Sequence, residues 1–261
     1  MSQLLLDIKD RIATITMNRP EKLNAFTDEM LQGFVAALEQ CNTSDEVNVI
    51  VVTGAGRAFC SGGDVGSFGD RAKDTAALIK RKLMERTQCL PRKFQEITKP
   101  IIAAINGPAY GAGMDITLMC DIRLAGESAK LAETYARMGL VPGAGGAWLL
   151  PRVIGTARAL EMFWTTEPVT GARAKEIGLV AEVYPDAELM PKAYAFARKI
   201  ADGAPISIQT IKRLVYQGLA MDFNSALHLV ASNMPVVRTS EDHQEAVAAF
   251  KEKRKPKFKG R

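Results

Sequence analysis

The stretch that decides the fold is residues 99–146, KPIIAAINGPAYGAGMDITLMCDIRLAGESAKLAETYARMGLVPGAGG. It opens with a short apolar run, Ile101 to Ile105, set between Pro100 and Asn106-Gly107-Pro108. A run of that length bounded by turn residues predicts an inner β-strand. Gly111-Ala112-Gly113 then leads into an apolar helical run, Met114 to Cys120. A small-residue turn from strand to helix leaves backbone N–H groups without helical partners. With the positive end of the helix dipole behind them, those donors suit an anion or a developing oxyanion. Asp115 follows Ala112 by one helical turn, which places its carboxylate and a free N–H on one face. A second glycine-rich turn, Pro142-Gly143-Ala144-Gly145-Gly146, closes the stretch.

Working outward, Leu4 to Ile8 and Ile12 to Met17 alternate as two strands of a hairpin, ended by Asn18-Arg19-Pro20. Thr27 is placed to N-cap a helix running to about Cys41, with Phe26 and Leu31 as a hydrophobic staple. Val47 to Thr53 is nearly continuous in β-branched residues and predicts a strand buried on both faces. It runs into the glycine-rich turn Gly54 to Asp64, and residues 72–96 are helical in pattern. After Gly155, segments 156–164, 171–178, 187–202, 205–219, 222–233 and 240–252 read as helices, with Leu179 to Val183 strand-like between them. Strand, glycine-rich turn and helix recur, which predicts a parallel α/β core with binding sites at the carboxyl ends of its strands. The expected organisation is one continuous unit, a core over residues 1–195 and a helical region over 196–261.

Composition narrows the function classes. The chain of 261 residues is 47% hydrophobic and 24% charged, as in ordinary globular proteins. No apolar run approaches the roughly 20 residues of a membrane-spanning helix, so no membrane partner is expected. The opening MSQLLLDIKDR has three leucines and then charges, which does not read as a signal peptide. Cys41, Cys60, Cys89 and Cys120 lack C-x-x-C spacing, which favours free thiols in a reducing cytoplasm over disulfides or a zinc site. The net charge of +5 is local: residues 251–261 hold 7 basic residues and 1 acid. The rest is near neutral, with 27 basic residues (34 less 7) against 28 acidic (29 less 1). A solvated, frayed terminus, a phosphate contact and a subunit contact all remain open for this tail. Without a nucleic-acid fold signature or an array of stacking aromatics, no nucleic-acid partner is expected.

Several motifs fail on inspection. Gly54-Ala55-Gly56-Arg57-Ala58-Phe59 resembles half a dinucleotide fingerprint, but Phe59 replaces the third glycine and no ribose-binding acid follows. Cys60-Ser61-Gly62 lacks the first glycine of a nucleophile elbow, so Ser61 is not expected to attack. His228 and His243 lie in C-terminal helical segments, far from the turns, and Cys60 reads as a small packed residue. What remains is a pair of turns offering N–H donors, with carboxylates close by, as a thioester enolate or tetrahedral oxyanion requires.

The combined motifs resemble the enoyl-CoA hydratase/isomerase (crotonase) superfamily. They are Asn18-Arg19-Pro20 with Asn24-Ala25, Ala58 to Asp64, Lys99-Pro100, Asn106-Gly107, Gly111-Ala112-Gly113, Cys120-Asp121 and Gly139 to Gly146. The matches continue through Ala172, Ala174 and Gly178-Leu179-Val180 to Phe250, Lys253-Arg254, Pro256 and Phe258 in the tail. The resemblance implies an α/β spiral of ββα units and a helical C-terminal region that assembles a homotrimer, or a hexamer as a dimer of trimers. It implies an acyl-CoA thioester as substrate and no cofactor beyond the coenzyme A of that substrate. By position, the two oxyanion N–H groups fall on Gly63 and Ala112. Contacts to coenzyme A fall on Lys22, Leu23, Asn24, Arg57 and Ala58, with Ser61 and Asp64 beside them.

The departures concern the acid/base groups. Hydratases of the family carry two catalytic glutamates. The first aligns with Asp115, one methylene shorter, and the second with Tyr135, seven residues before Pro142. A neutral tyrosine, with an ordinary pKa of ~10, is no base near neutral pH. The expectation is that Asp115 is the principal acid/base and Tyr135 a neutral donor to water or substrate. If 131–135 is extended, Glu133 shares a face with Tyr135. Glu133 is then either a substitute acid or a salt-bridged surface acid. The expected reaction is addition of water to a 2-enoyl-CoA. The alternatives are double-bond isomerisation using Asp115, another acyl-CoA reaction such as hydrolysis or decarboxylation, and CoA-thioester binding with little catalysis.

Overall fold

Strand β1 (Leu4–Lys9) and strand β2 (Ile12–Met17) form the expected antiparallel hairpin, with Leu4 opposite Met17. Asp10 and Arg11 turn the chain with φ of 51° and 65°, the twist that suits a two-residue hairpin loop. The computed structural model describes residues 2–64, 66 and 74–261. Helix α1 (Asp28–Thr43) starts where Thr27 Oγ1 accepts the Met30 N–H at 3.1 Å, as the capping signal requires. Strand β3 (Val49–Gly54) is buried at every position. Of the helical pattern over 72–96, residues 72 and 73 lie outside the described residues. The remainder forms α2 (Ala76–Lys82), a π-helical turn (Leu83–Thr87) and α3 (Cys89–Glu96).

The deciding stretch supplies β4 (Ile101–Ile105), a two-residue β5 (Ala109–Tyr110), helix α4 (Ala112–Met119), β6 (Ile122–Gly126) and β7 (Lys130–Ala132). Helices α5 (Gly146–Ile154) and α6 (Thr156–Thr165), strand β8 (Val169–Thr170), helix α7 (Gly171–Glu176) and strand β9 (Glu182–Tyr184) follow. The chain ends with α8 (Asp186–Ala201), α9 (Pro205–Gly218), α10 (Phe223–Arg238) and α11 (Glu241–Glu252). A six-stranded sheet runs β1-β2-β3-β4-β6-β9, parallel throughout except for the β1–β2 hairpin. A smaller sheet, β5-β7-β8, carries the turns of the site.

Side chains alternate across a strand, so β3 feeds two cores. Ile50 and Val52 join Phe34, Leu38, Phe94, Ile101 and Met114 on one face. Val49 and Val51 meet Ile102, Ala104, Leu124 and Leu189, Ala193 and Ala197 of α8 on the other. The 195/196 boundary falls inside α8, whose residues from Leu189 to Ala201 pack on this sheet face.

One local expectation is corrected, and one of the readings left open for the tail is removed. The strand read at Leu179–Val183 forms instead at Glu182–Tyr184. Leu179 and Val180 N–H groups bond back to the Ala174 carbonyl at 2.8 and 3.2 Å, and both side chains are buried as a plug under the end of α7. Apolar residues there serve a helix end rather than a ladder. Nor is the tail a frayed terminus. Buried Asp242 accepts the N–H groups of Lys259 and Gly260 at 2.7 and 2.8 Å, Arg254 pairs with Glu245 at 2.6 Å, and Lys255 pairs with Asp202 at 2.8 Å. The acids that neutralise the tail lie near its anchor points.

Candidate active site

The site is assembled by the register between β5 and β7. Tyr110 pairs with Ala132, and the Gly111 N–H bonds to the Ala132 carbonyl at 2.9 Å. The residues that follow each strand are therefore brought together: Ala112 and Asp115 on one side, Glu133 and Tyr135 on the other. The loop after β3 joins them, since Cys60 bridges Ala109 and the Tyr110 N–H bonds to the Cys60 carbonyl at 2.9 Å. A Cβ on Gly62 would lie 3.0 Å from the Tyr110 carbonyl oxygen and 4.0 Å from the Ala112 nitrogen, so the two glycine turns are packed together. Neither the Gly63 N–H nor the Ala112 N–H donates a hydrogen bond among the described residues.

Behind the turns lies a buried polar cluster. Asp115 and Glu133 are both fully buried and their side chains touch. The Tyr135 hydroxyl donates to Asp115 Oδ2 at 2.5 Å. Asp115 Oδ1 and both Glu133 oxygens have no hydrogen-bond partner among the described residues, and no cation pairs with either carboxyl there. Gly146, the first residue of α5, completes the enclosure. A Cβ at Gly146 would run into Asp115 Oδ1 and lie 3.1 Å from Glu133 Oε1.

Burial pushes both carboxyls above the ordinary carboxylate range. For Asp115 the Tyr135 hydroxyl and the N–H groups of Ala144 and Gly146 oppose that rise. For Glu133 the neighbouring Asp115 charge adds to it. Burial, then the Asp115 charge, raises the Tyr135 hydroxyl well above its usual value, so it stays a neutral donor. The Cys60 thiol is buried and pushed up to about 12, which removes it as a nucleophile.

The residues expected along coenzyme A separate into two groups. Segment 22–26 runs beside 61–64, with Ser61 N–H to the Leu23 carbonyl at 3.0 Å and Phe26 N–H to the Gly62 carbonyl at 2.8 Å. Lys22 and Arg57 are exposed along this seam, and Leu23 and Ser61 are half-buried. Asp64 pairs with Arg19 at 3.1 Å; the Gly66 N–H, then Arg19, holds its carboxyl below the usual range. Asn24 and Ala58 are buried instead. The Asn24 amide donates to the Ala55 and Ala58 carbonyls at 2.9 and 2.8 Å and accepts from the Arg19 N–H at 2.8 Å, so it shapes the loop from within.

A family model described as enoyl-CoA hydratase/isomerase matches residues 7–261. The chain belongs to the enoyl-CoA hydratase/isomerase family. It is 33% identical to the 2,3-dehydroadipyl-CoA hydratase of Escherichia coli over 261 residues, covering 100% of both chains. It is likewise 33% identical to the 1,2-epoxyphenylacetyl-CoA isomerase of the same organism, again covering 100% of both. A crystal structure of an enoyl-CoA hydratase from Bacillus anthracis superposes with a TM-score of 0.93 at 33% identity, covering 99% of this chain and 100% of that one. The expected crotonase-type fold and acyl-CoA enzyme class are thus met.

In this member of the family the acid/base region departs from the sequence expectation in two ways. Residues 131–135 are not extended throughout: β7 ends at Ala132, and Tyr135 has helical φ and ψ of −62° and −46° at the start of a 3₁₀ turn. The tyrosine hydroxyl is consequently directed to Asp115 rather than held out for water or substrate. Glu133 is not a salt-bridged surface acid; it is enclosed against Asp115. The sequence pattern does not mark Gly146 as a site residue or show helix α5, which Pro151 conceals. The signal that could have found them was present: a doubled glycine opening an apolar segment places N–H groups at a helix start. Among the described residues no three His, Cys, Asp or Glu side chains are grouped to hold a metal ion.

Proposed function

We propose that this enzyme is an enoyl-CoA hydratase whose acid/base pair is Asp115 and Glu133. The observation that carries the reading is the contact between two fully buried carboxyls, just behind two adjacent turns with uncommitted N–H groups. The N–H groups of Gly63 and Ala112 would receive the thioester oxygen, and charge developing on that oxygen strengthens both bonds. Polarisation makes C3 of the enoyl group electrophilic. Ionised Asp115 takes a proton from water as its oxygen bonds to C3, and neutral Glu133 gives its proton to C2. The contact between the two carboxyls then lets the proton return from Asp115 to Glu133, restoring the starting state. Coenzyme A enters as part of the substrate, lying along Lys22, Leu23, Arg57 and Ser61 with its phosphates near the two exposed cations.

The same reading covers assembly and location. Helices α9 and α10 and the turn between them leave Ile211, Val215, Leu219, Phe223, Met234 and Val236 largely exposed, a surface suited to burial between copies in a homotrimer or a dimer of trimers. Four free thiols, three of them buried, suit a reducing cytoplasm. Among the described residues no helix is long and apolar enough to cross a membrane. Incubation with crotonyl-CoA and with longer or ring-bearing 2-enoyl-CoA thioesters should give 3-hydroxyacyl-CoA. Double-bond migration without hydration across that panel would overturn the assignment. Light scattering at micromolar concentration should give a trimer or hexamer, and a monomer would remove the assembly reading.

A further inference from the structure

We infer that Tyr135 is a positioning residue that assigns the two buried carboxyls their roles, holding Asp115 as the ionised member and leaving the one shared proton on Glu133. This rests on the hydratase reading above for its catalytic meaning, but not for its geometry. Three carboxyl oxygens in this cluster, Asp115 Oδ1 and both of Glu133, are buried without a hydrogen bond, whereas Asp115 Oδ2 takes the Tyr135 hydroxyl at 2.5 Å. Two touching carboxylates with no cation beside them among the described residues cannot both keep their charge in an enclosed site. A single proton between them resolves the conflict: a Glu133 O–H can donate to Asp115 Oδ1, which satisfies two of the three unpartnered oxygens. The other Glu133 oxygen stays an acceptor for a water or a substrate hydroxyl.

Which carboxyl keeps the proton is decided by asymmetric surroundings. Asp115 faces a hydroxyl donor and the N–H groups of Ala144 and Gly146 at the start of α5, all of which favour its charged form. Glu133, among the described residues, faces only burial and the negative charge of Asp115. Among the described residues the remaining titratable neighbour named beside Tyr135, the Cys60 thiol, is neutral and does not alter the order. Tyrosine at the position where the superfamily resemblance places a glutamate thus does not act as a second acid. It acts through Asp115, and the second acid is displaced by two residues to Glu133.

The test combines a spectrum of the resting enzyme with a pH profile. Infrared titration without substrate should show a protonated buried carboxyl at neutral pH in the wild type, retained in Asp115→Asn and lost in Glu133→Gln. Tyr135→Phe removes the donor that favours charged Asp115, so the acidic limb of kcat should move up by roughly one pH unit, with KM little changed. Tyr135→Leu serves as a second donorless variant if Tyr135→Phe fails to fold. Persistence of the neutral carboxyl band in Glu133→Gln, or an unmoved acidic limb in a folded donorless variant, would overturn the inference. An enzyme that hydrates no enoyl-CoA yet shows the expected spectra would sink the proposed reaction and leave the proton assignment standing.

Discussion

Two tyrosine–aspartate pairs among the described residues sit at the two ends of one helix, and they are built for opposite purposes. At the far end of α4, Asp121 is satisfied on both oxygens. Tyr216 donates to Oδ1 at 2.9 Å, while Lys212 at 2.8 Å and the Ile101 N–H at 2.7 Å share Oδ2. That aspartate ties β4 to helix α9 and has nothing left to offer a reactant. At the near end, Asp115 has one oxygen held by Tyr135 and the other, against a second buried carboxyl, without a partner among the described residues. A carboxylate with both oxygens held by donors and a cation is a structural tie. One left partly unsatisfied beside a like group has unspent chemistry, and it is held that way by the surrounding fold.

The largest expected effect breaks the catalytic pair. Asp115→Asn should reduce hydration by about 10²–10⁴-fold while leaving CoA-thioester binding and thermal stability near native. Near-native turnover in that variant, with Glu133→Gln inactive, would move the base to Glu133. The mirror change at the other pair should act on stability instead. Asp121→Ala should cost about 2–3 kcal/mol in denaturant unfolding, below the range for a fully enclosed pair because Asp121 and Lys212 keep 17% and 13% of their exposure. Turnover per folded molecule should hardly change, and a large kcat loss would erase the distinction between the two ends of α4.

A subtler effect concerns pH. Glu133 is raised in the folded state, first by burial and then by Asp115, so the folded chain binds more protons than the unfolded chain above the ordinary carboxyl pKa of roughly 4. The stability that this proton lends is present at low pH and is lost as pH rises towards the raised folded value. Glu133→Gln should therefore flatten the fall in unfolding free energy between about pH 5 and pH 9. An unchanged slope would mean that Glu133 is ionised in the fold. The smallest effect sharpens the comparison by matching Tyr135→Phe. Tyr216→Phe removes a hydrogen bond at the satisfied aspartate and should cost about 0.5–1 kcal/mol with no movement of the pH–rate profile.

Much of this protein could be read from local signals. The β1–β2 hairpin, the Thr27 cap, the doubly buried β3 and the strand–turn–helix of β4 and α4 each depend on residues within a few positions of one another. The short strands β5, β7 and β8 could not, because strands of two or three residues have no periodicity to detect. The strand misplaced at Leu179 shows the same limit, since buried apolar residues look alike whether they plug a helix end or fill a ladder.

For the site, the sequence alone determined the two glycine turns, the place of Asp115 one helical turn beyond Ala112, and the family to which the combination belongs. It also showed that Tyr135 stands where an acid was expected, without telling what that tyrosine touches. Only the tertiary structure decided that Glu133 is buried against Asp115 and that the Tyr135 hydroxyl ends on Asp115 Oδ2. The physical reason is the register of β5 with β7 and the approach of Gly146 from a third element. Those contacts join residues distant in the chain, and whether a carboxyl is charged depends on what surrounds it in space rather than on its neighbours in sequence.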